Sequence, residues 1–203
     1  MKHKYARTSS PIHELLAKRW SSRSYDQEKI VTDECVISLL EAARWAPSCY
    51  GDQPWYFLIF NRNNNLKAWE KALSCLGDSN QVWAKRAPLL ILSTYKKMFS
   101  KYEQENRWAA YDTGASVENM VLQATAMGLM TRQIGWFDEE KTRQHFSIPE
   151  DYQPITFIAV GHPGAPDLLD EPHEKAEHEE RARNPLAEHF FVDQWGEEID
   201  LET

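Results

Sequence analysis

The chain has 203 residues, 42% of them hydrophobic and 27% charged, with 10 Pro and 8 Gly, which is enough apolar content for one hydrophobic core and lacks the bias of disordered or repetitive chains. Its 23 basic and 31 acidic residues leave a formal charge of −8, and no basic block exceeds two consecutive residues, so the cationic footprint that holds a nucleic-acid backbone is absent and nucleic acid is not an expected partner. The apolar run Leu89 to Leu92 falls far short of the roughly 20 residues that span a bilayer, so no membrane partner is expected.

Met1 to Ser10 is basic and polar and leads into no apolar signal-like stretch, which points to the cytoplasm. Pro11 to Lys18 places Ile12, Leu15 and Leu16 on one helical face, with Pro11 suited to a first turn, and reads as a short amphipathic helix. The polar loop Arg19 to Lys29 follows. It opens with Arg19-Trp20-Ser21-Ser22-Arg23-Ser24-Tyr25, two guanidiniums flanking two hydroxyls. Such forks and hydroxyls are what a phosphate monoester requires, although the same residues suit a solvated loop with surface ion pairs.

Thr32 caps a second helix that buries Val36, Leu39, Leu40 and Ala43 and stops before Pro47. The loop Ala46-Pro47-Ser48-Cys49-Tyr50-Gly51-Asp52-Gln53-Pro54-Trp55 has a path set by its prolines and allows close approach at Gly51. It either wraps a planar ligand or simply ends a helix and starts a strand. Cys49 has no evident paired base, so no catalytic thiol is expected.

Trp55 to Phe60 reads as a buried strand closed by the Asn-rich turn Asn61 to Asn65, and Leu89 to Ser93 as a second strand. Ala109 to Gly128 is apolar or small on most sides, with Ala110, Gly114, Val117, Val121 and Ala124 along one stripe, so it is expected as a central helix. Leu129 to Ile134 forms a third strand, Asp138 to Phe146 a short helix, and Ile155 to Gly161 a fourth strand. No strand, glycine-rich turn and helix combination matches a dinucleotide fold or a P-loop.

Beyond Gly161, Pro163, Pro166 and Pro172 punctuate the chain, and Asp167 to Glu180 carries seven acids against one lysine, a net of −6, expected to be exposed and mobile. Arg181 and Arg183 follow, then Phe190, Phe191 and Trp195, which need a surface to pack on and suggest an arm laid over the domain or over a second subunit. Cys35, Cys49 and Cys75 are odd in number and show no CxxC pairing, so they read as reduced thiols. The seven histidines are scattered, and no metal is expected.

Two loops in this order, RWSSRSY at 19–25 and APSCYGDQPW at 46–55, make the chain resemble the FMN-dependent nitroreductase family, whose hallmarks are RxSxR-x-[FY] and APSxxNxQPW. The resemblance continues through NQVWAKRAP at 80–88, DTGASVENMVLQATAMG at 112–128, IGWFD at 134–138 and RARNPL at 181–186. It implies a single α+β domain over 1–203, with a central, mainly antiparallel sheet flanked by helices and a C-terminal arm, 162–203, exchanged in a homodimer.

The same resemblance implies FMN as cofactor, NADH or NADPH as hydride donor to flavin N5, and ping-pong reduction of a small electron-poor acceptor such as a nitroaromatic or quinone. Related chemistries on the same fold, among them dehalogenation, enone reduction and azoline oxidation, remain open beside it, as does a flavin-binding or redox-sensing module with little turnover. Arg19 and Ser21 would hold the phosphate and ribityl chain with Trp20 alongside, and Arg23 the pyrimidine edge, where a positive charge stabilises the charge that hydride uptake brings. Pro47, Ser48, Cys49 and Gly51 would come from the neighbouring subunit. Ile134, Gly135 and Trp136 would lie at the flavin ring, with a backbone amide toward N5. Arg181 and Arg183 would close on the phosphate, and Asn80 would reach the pyrimidine edge.

Gly51 stands where the family has Asn, and Trp136 where some members have a second glycine, which bears on substrate size. Trp83, Phe99, Tyr102 and Trp108 are candidate walls for a flat acceptor, or else aromatics of the core or an interface.

Overall fold

In the computed structural model the described residues are 4–199; the first three positions of the basic N-terminal stretch and the last four of the C-terminal arm lie outside them. Four strands form one sheet in the order β1-β2-β4-β3: β1 (Trp55–Asn61), β2 (Leu89–Lys96), β3 (Met130–Ile134) and β4 (Tyr152–Gly161). Every pairing is antiparallel, and helices cover both faces.

Period-2 alternation divides the central strands between two cores. Leu89 and Ile91 of β2 and Ile158 and Val160 of β4 meet α2 (Asp33–Arg44) and α5 (Ala109–Ala126) through Val36, Leu39, Val117, Met120 and Val121. On the opposite face, Leu90, Leu92, Phe157 and Ala159 meet Trp69, Trp83 and Phe146, from α3 (Leu66–Ser74), α4 (Asp78–Ala84) and α6 (Glu139–Phe146). Residues 89–92 and 157–160 are fully buried, which is why both strands read as unbroken apolar runs. Burying each such side chain favours folding by roughly 1.5–3 kcal/mol.

α1 (Glu14–Lys18) starts three residues later than Pro11, because the His13 ring accepts the Leu15 N–H at 3.2 Å and sets the cap there. α2 is capped as expected, with Thr32 Oγ1 accepting the Cys35 N–H at 3.3 Å; its buried residues are Val36, Leu39 and Ala43, while Leu40 is half-buried. β4 begins at Tyr152 and takes in Pro154 where the register to β2 slips between Ser93 and Thr94, a bulge that tolerates the missing N–H.

The inner face of α5 differs from the expected stripe. Val117, Val121 and Ala124 are buried, but Ala110 and Gly114 are exposed, and Asp112, Thr113 and Ser116 take the inner positions. Hydrogen bonds to α2 cause the rotation. Ser116 Oγ donates to the Ala43 carbonyl at 2.9 Å, Asn119 Nδ2 to the Ala42 carbonyl at 3.2 Å, and Gln123 Nε2 to Ser38 Oγ at 3.0 Å.

α3 and α4 do not announce themselves in the periodicity. α3 is capped by Asn65, whose Oδ1 accepts the Ala68 N–H at 3.1 Å, and buries Trp69 and Ala72; α4 buries Trp83 and Ala84. The acidic segment expected to be loose instead forms α7 (Glu171–His178), which packs Glu177 into the protein at 4% exposure. Among the described residues no helix is long and apolar enough to cross a membrane.

Candidate active site

α1 ends at Lys18, which pairs with Glu14 at 2.5 Å, and the chain then runs extended beside β3, with Ser21 bridging Thr131 in parallel. Extended geometry sends alternate side chains to opposite sides. Ser22 and Ser24 are buried at 2% exposure each, while Arg19, Ser21 and Arg23 face a cleft of about 280 Å³. Tyr25 closes the segment from inside: its hydroxyl lies 3.1 Å from the Ser22 carbonyl and 3.3 Å from that of Ala159, its ring stacks on Trp83, and burial pushes its pKa up.

The cleft gathers Arg19, Trp20, Ser21 and Arg23 with Arg181 and Arg183 of the C-terminal segment, as the sequence reading expects. Arg19 Nη1 donates to Ser21 Oγ at 3.4 Å, and its Nε lies 4.0 Å from Glu118 Oε1. Arg181 Nη1 donates to the carbonyls of Lys4 and Ala17 at 2.6 and 2.9 Å, and burial together with the charges of Arg19 and Arg183 pulls its pKa down. Among the described residues, Arg183 donates to the neighbouring Ala182 carbonyl at 2.7 Å and to no other. A guanidinium offers five N–H donors, so most of these donors remain for a ligand.

Two further cations belong here that sequence reasoning missed. Arg132 of β3 donates to the Ser21 carbonyl at 2.7 Å beside the Trp83 ring, with its pKa lowered first by burial and then by Arg23. Lys4 donates to the Ala176 carbonyl at 3.0 Å and lies over the Trp20 ring; burial lowers its pKa while Glu177 and Glu179 oppose the shift. An arginine inside the short strand MTRQI is the one signal that would have found Arg132.

The Ala46–Trp55 loop is built elsewhere. None of Pro47, Ser48, Cys49 and Gly51 lines the arginine cleft of the chain. Buried Asp112 anchors the loop, its Oδ2 accepting the Cys49 N–H at 2.9 Å, and Ser48 Oγ accepts the Gln53 N–H at 3.0 Å. Gly51 sits at φ +65, a left-handed conformation that both glycine and asparagine adopt readily, so the departure from the family's Asn preserves the turn. Tyr50 meets Phe99 and Tyr102 edge-on, and Phe99 also packs near Trp108. Trp83 does not join them; it is fully buried in the core.

A third cluster surrounds the turn after β3. Asn80 Nδ2 donates to the Trp136 carbonyl at 3.4 Å, and the Gly77 N–H to the same oxygen at 3.2 Å. The Trp136 indole rests on Gly77 yet is 78% exposed, and the two flank a cleft of about 430 Å³ that includes Phe137 and Lys141. Gly135 has no atom within 4 Å of where a Cβ would stand, so its backbone is open to a flat ligand. The Ile134 side chain belongs to the core at 3% exposure, and its carbonyl accepts Thr156 Oγ1 at 2.9 Å, so it lines neither cleft.

The chain is similar to known proteins in sequence and in fold. The family profile described as "Nitroreductase family" matches residues 16–162. A protein of Archaeoglobus fulgidus named "Putative NADH dehydrogenase/NAD(P)H nitroreductase" is 27% identical over 153 residues, 73% of this chain and 83% of its own length. A crystal structure described as an oxidoreductase containing FMN superposes with a TM-score of 0.87 at 24% identity, covering 95% of this chain and 96% of that one. A family member from Clostridium difficile superposes at 0.69 with 26% identity, covering 89% and 97%.

Proposed function

The chain belongs to the nitroreductase family, and on that premise we propose that it is an FMN-dependent oxidoreductase that takes hydride from NADH or NADPH and passes electrons to a small electron-poor acceptor such as a nitroaromatic or quinone. One observation carries the reading: in a chain of net charge −8, Lys4, Arg19, Arg23, Arg132, Arg181 and Arg183 converge on one cleft. Like charges gather at a cost that a bound phosphate offsets. The cleft's 280 Å³ suits the phosphate and sugar end of such a ligand, since pockets for whole drug-sized molecules run about 300–1,000 Å³.

When bound, FMN supplies the hydride acceptance and onward electron transfer. In this reading Arg19 and Ser21 hold the phosphate and ribityl end beside Trp20, and Arg181 and Arg183 close over it. Arg23 keeps a fixed positive charge at the pyrimidine edge, assisted by Asn80, and stabilises the negative charge that arrives with hydride. Open Gly135 lets backbone approach the ring, while Trp136 limits what stacks there. The Phe99, Tyr102 and Trp108 cluster, joined by Tyr50, favours flat acceptors.

Pro47, Ser48, Cys49 and Gly51 complete the site from a second copy in a homodimer. Trp45, Tyr50, Tyr111 and Trp195 are 73–92% exposed, and this supports that dimer; the arm through Arg183 docks on its own chain, so exchange between copies is confined to the residues beyond it. The thiols Cys35, Cys49 and Cys75 are free, which suits the reducing cytoplasm. Steady-state kinetics with varied NAD(P)H and acceptor test the reading: parallel double-reciprocal lines are expected, and intersecting lines or the absence of turnover would contradict it.

A further inference from the structure

The segment Arg19–Tyr25 is anchored at its far end, where Ser24 Oγ donates to the Ala165 carbonyl at 2.8 Å, the Gly164 N–H donates to the Ser24 carbonyl at 3.0 Å and Tyr25 bridges Pro163, whereas its middle has fewer ties. Beside β3 it makes a single bridge, Ser21 to Thr131, and receives one side-chain bond, from Arg132 to the Ser21 carbonyl. The Ser22 hydroxyl and the Arg23 N–H are turned inward, where a polar group without a partner is costly. Both are satisfied by one carboxylate from far along the chain. Glu177 Oε2 accepts from Ser22 Oγ at 2.8 Å and Oε1 from the Arg23 N–H at 2.7 Å. Ser22 Oγ in turn accepts the Ser24 N–H at 3.0 Å, so the carboxylate holds Ser22 and Arg23 directly and ties them to the anchored Ser24.

We propose that Glu177 is the positioning residue of the phosphate site, a strut that sets Arg19, Ser21 and Arg23 in register with Arg181 and Arg183; the inference rests on the FMN reading above. Glu177 takes the backbone N–H of Arg23 and leaves its guanidinium to the cleft. It also lies four residues before Arg181 on the same stretch of chain, and Arg181 is itself tied to the Lys4 and Ala17 carbonyls. Docking α7 through Glu177 therefore brings the second pair of arginines to the first. The other acids of the segment do not do this: Glu179 and Glu180 line the cleft rim, and Glu180 pairs outward with Arg7 at 2.6 Å, both side chains more than 70% exposed.

Geometry rather than charge is what the strut supplies. A glutamine at this position keeps both contacts, its carbonyl accepting from Arg23 and its amide donating to Ser22 Oγ, which then turns its proton to the Ser24 carbonyl 3.4 Å away. Equilibrium binding of FMN and of riboflavin, which lacks the phosphate, to flavin-free protein separates the possibilities. Glu177→Ala is expected to weaken FMN binding tenfold or more and riboflavin binding by a distinctly smaller factor, since riboflavin loses only the Ser21 and Arg23 contacts, and Glu177→Gln to stay within about threefold of wild type. If Glu177→Ala does not fold, Glu177→Asp, too short to span both bonds, takes its place with the same selective loss expected.

Unchanged FMN affinity in these variants overturns the proposal, as does equal loss of FMN and riboflavin, or a glutamine variant as weak as the alanine one. Wild-type protein that binds riboflavin as tightly as FMN, or neither, overturns the FMN phosphate reading itself.

Discussion

Trp136 lays its indole on Gly77 so closely that a Cβ there would stand 2.2 Å from Cδ1 and 2.7 Å from Nε1. No side chain other than hydrogen fits while the ring stays in place. The ring is also 78% exposed, so it is free to leave. Gly77→Ala is therefore expected to displace Trp136 rather than disrupt the core, costing less than the roughly 1–3 kcal/mol of true overpacking. It should alter the acceptor's KM and the tryptophan emission, and Trp136→Ala in the same chain should make Gly77→Ala nearly neutral, the non-additivity of touching residues. Equal effects of Gly77→Ala with and without Trp136 would contradict the contact.

Arg19 faces the cleft with donors to spare. Because a hydrogen bond to a charged group is worth roughly 1.5–3 kcal/mol, Arg19→Ala is expected to weaken FMN binding by roughly 10- to 150-fold. Fluorescence titration measures this directly, and the effect should shrink as salt rises. An unchanged affinity would remove Arg19 from the phosphate site.

Much of this arrangement is legible in the residues because local chemistry and final position coincide. The Thr32 cap and the apolar runs of β2 and β4 follow from neighbours in sequence, while Arg19, Ser21 and Arg23 are grouped by the family motif and only the structure shows the extended alternation that turns them to one side. Where long-range partners decide, the sequence is silent. Glu177 is one of seven acids between 167 and 180, and only its docking against Ser22 and Arg23 distinguishes it. The inner face of α5 departs from the expected stripe for a related reason: Ser116, Asn119 and Gln123 look like surface residues until α2 supplies their partners. Lys4 lies in a stretch with no periodic pattern, and Trp83 reads equally as wall or core until α4 is seen to bury it.

Glu41 accepts Arg44 Nε at 2.8 Å and Trp45 Nε1 at 2.9 Å, and these bonds, Arg44 first, depress its pKa to about 2. A carboxylate with a depressed folded pKa contributes stability above its unfolded pKa and loses it as pH falls through the folded value. The contribution should thus fade from the ordinary glutamate range down to about pH 2, and it is small because the pair is exposed. Glu41→Gln is expected to flatten the acid titration of Trp45 seen by NMR. A Trp45 signal that titrates identically in the variant would contradict the assignment.

The exposed Trp45, Tyr50 and Tyr111 are expected to be covered by a second copy. Sedimentation at micromolar concentration should give twice the chain's 23.7 kDa, and Tyr111→Arg should shift the equilibrium toward monomer and weaken flavin binding with it. A monomer that keeps full FMN affinity would contradict a site shared between chains.

The most direct test of the central claim is the absorbance spectrum of protein supplied with FMN, freed of excess, and then treated anaerobically with NADH and with NADPH. Retained flavin bands that bleach with at least one nucleotide are the predicted result. Protein that emerges colourless, or flavin that stays oxidised with both donors, would contradict the assignment of an NAD(P)H-dependent FMN oxidoreductase.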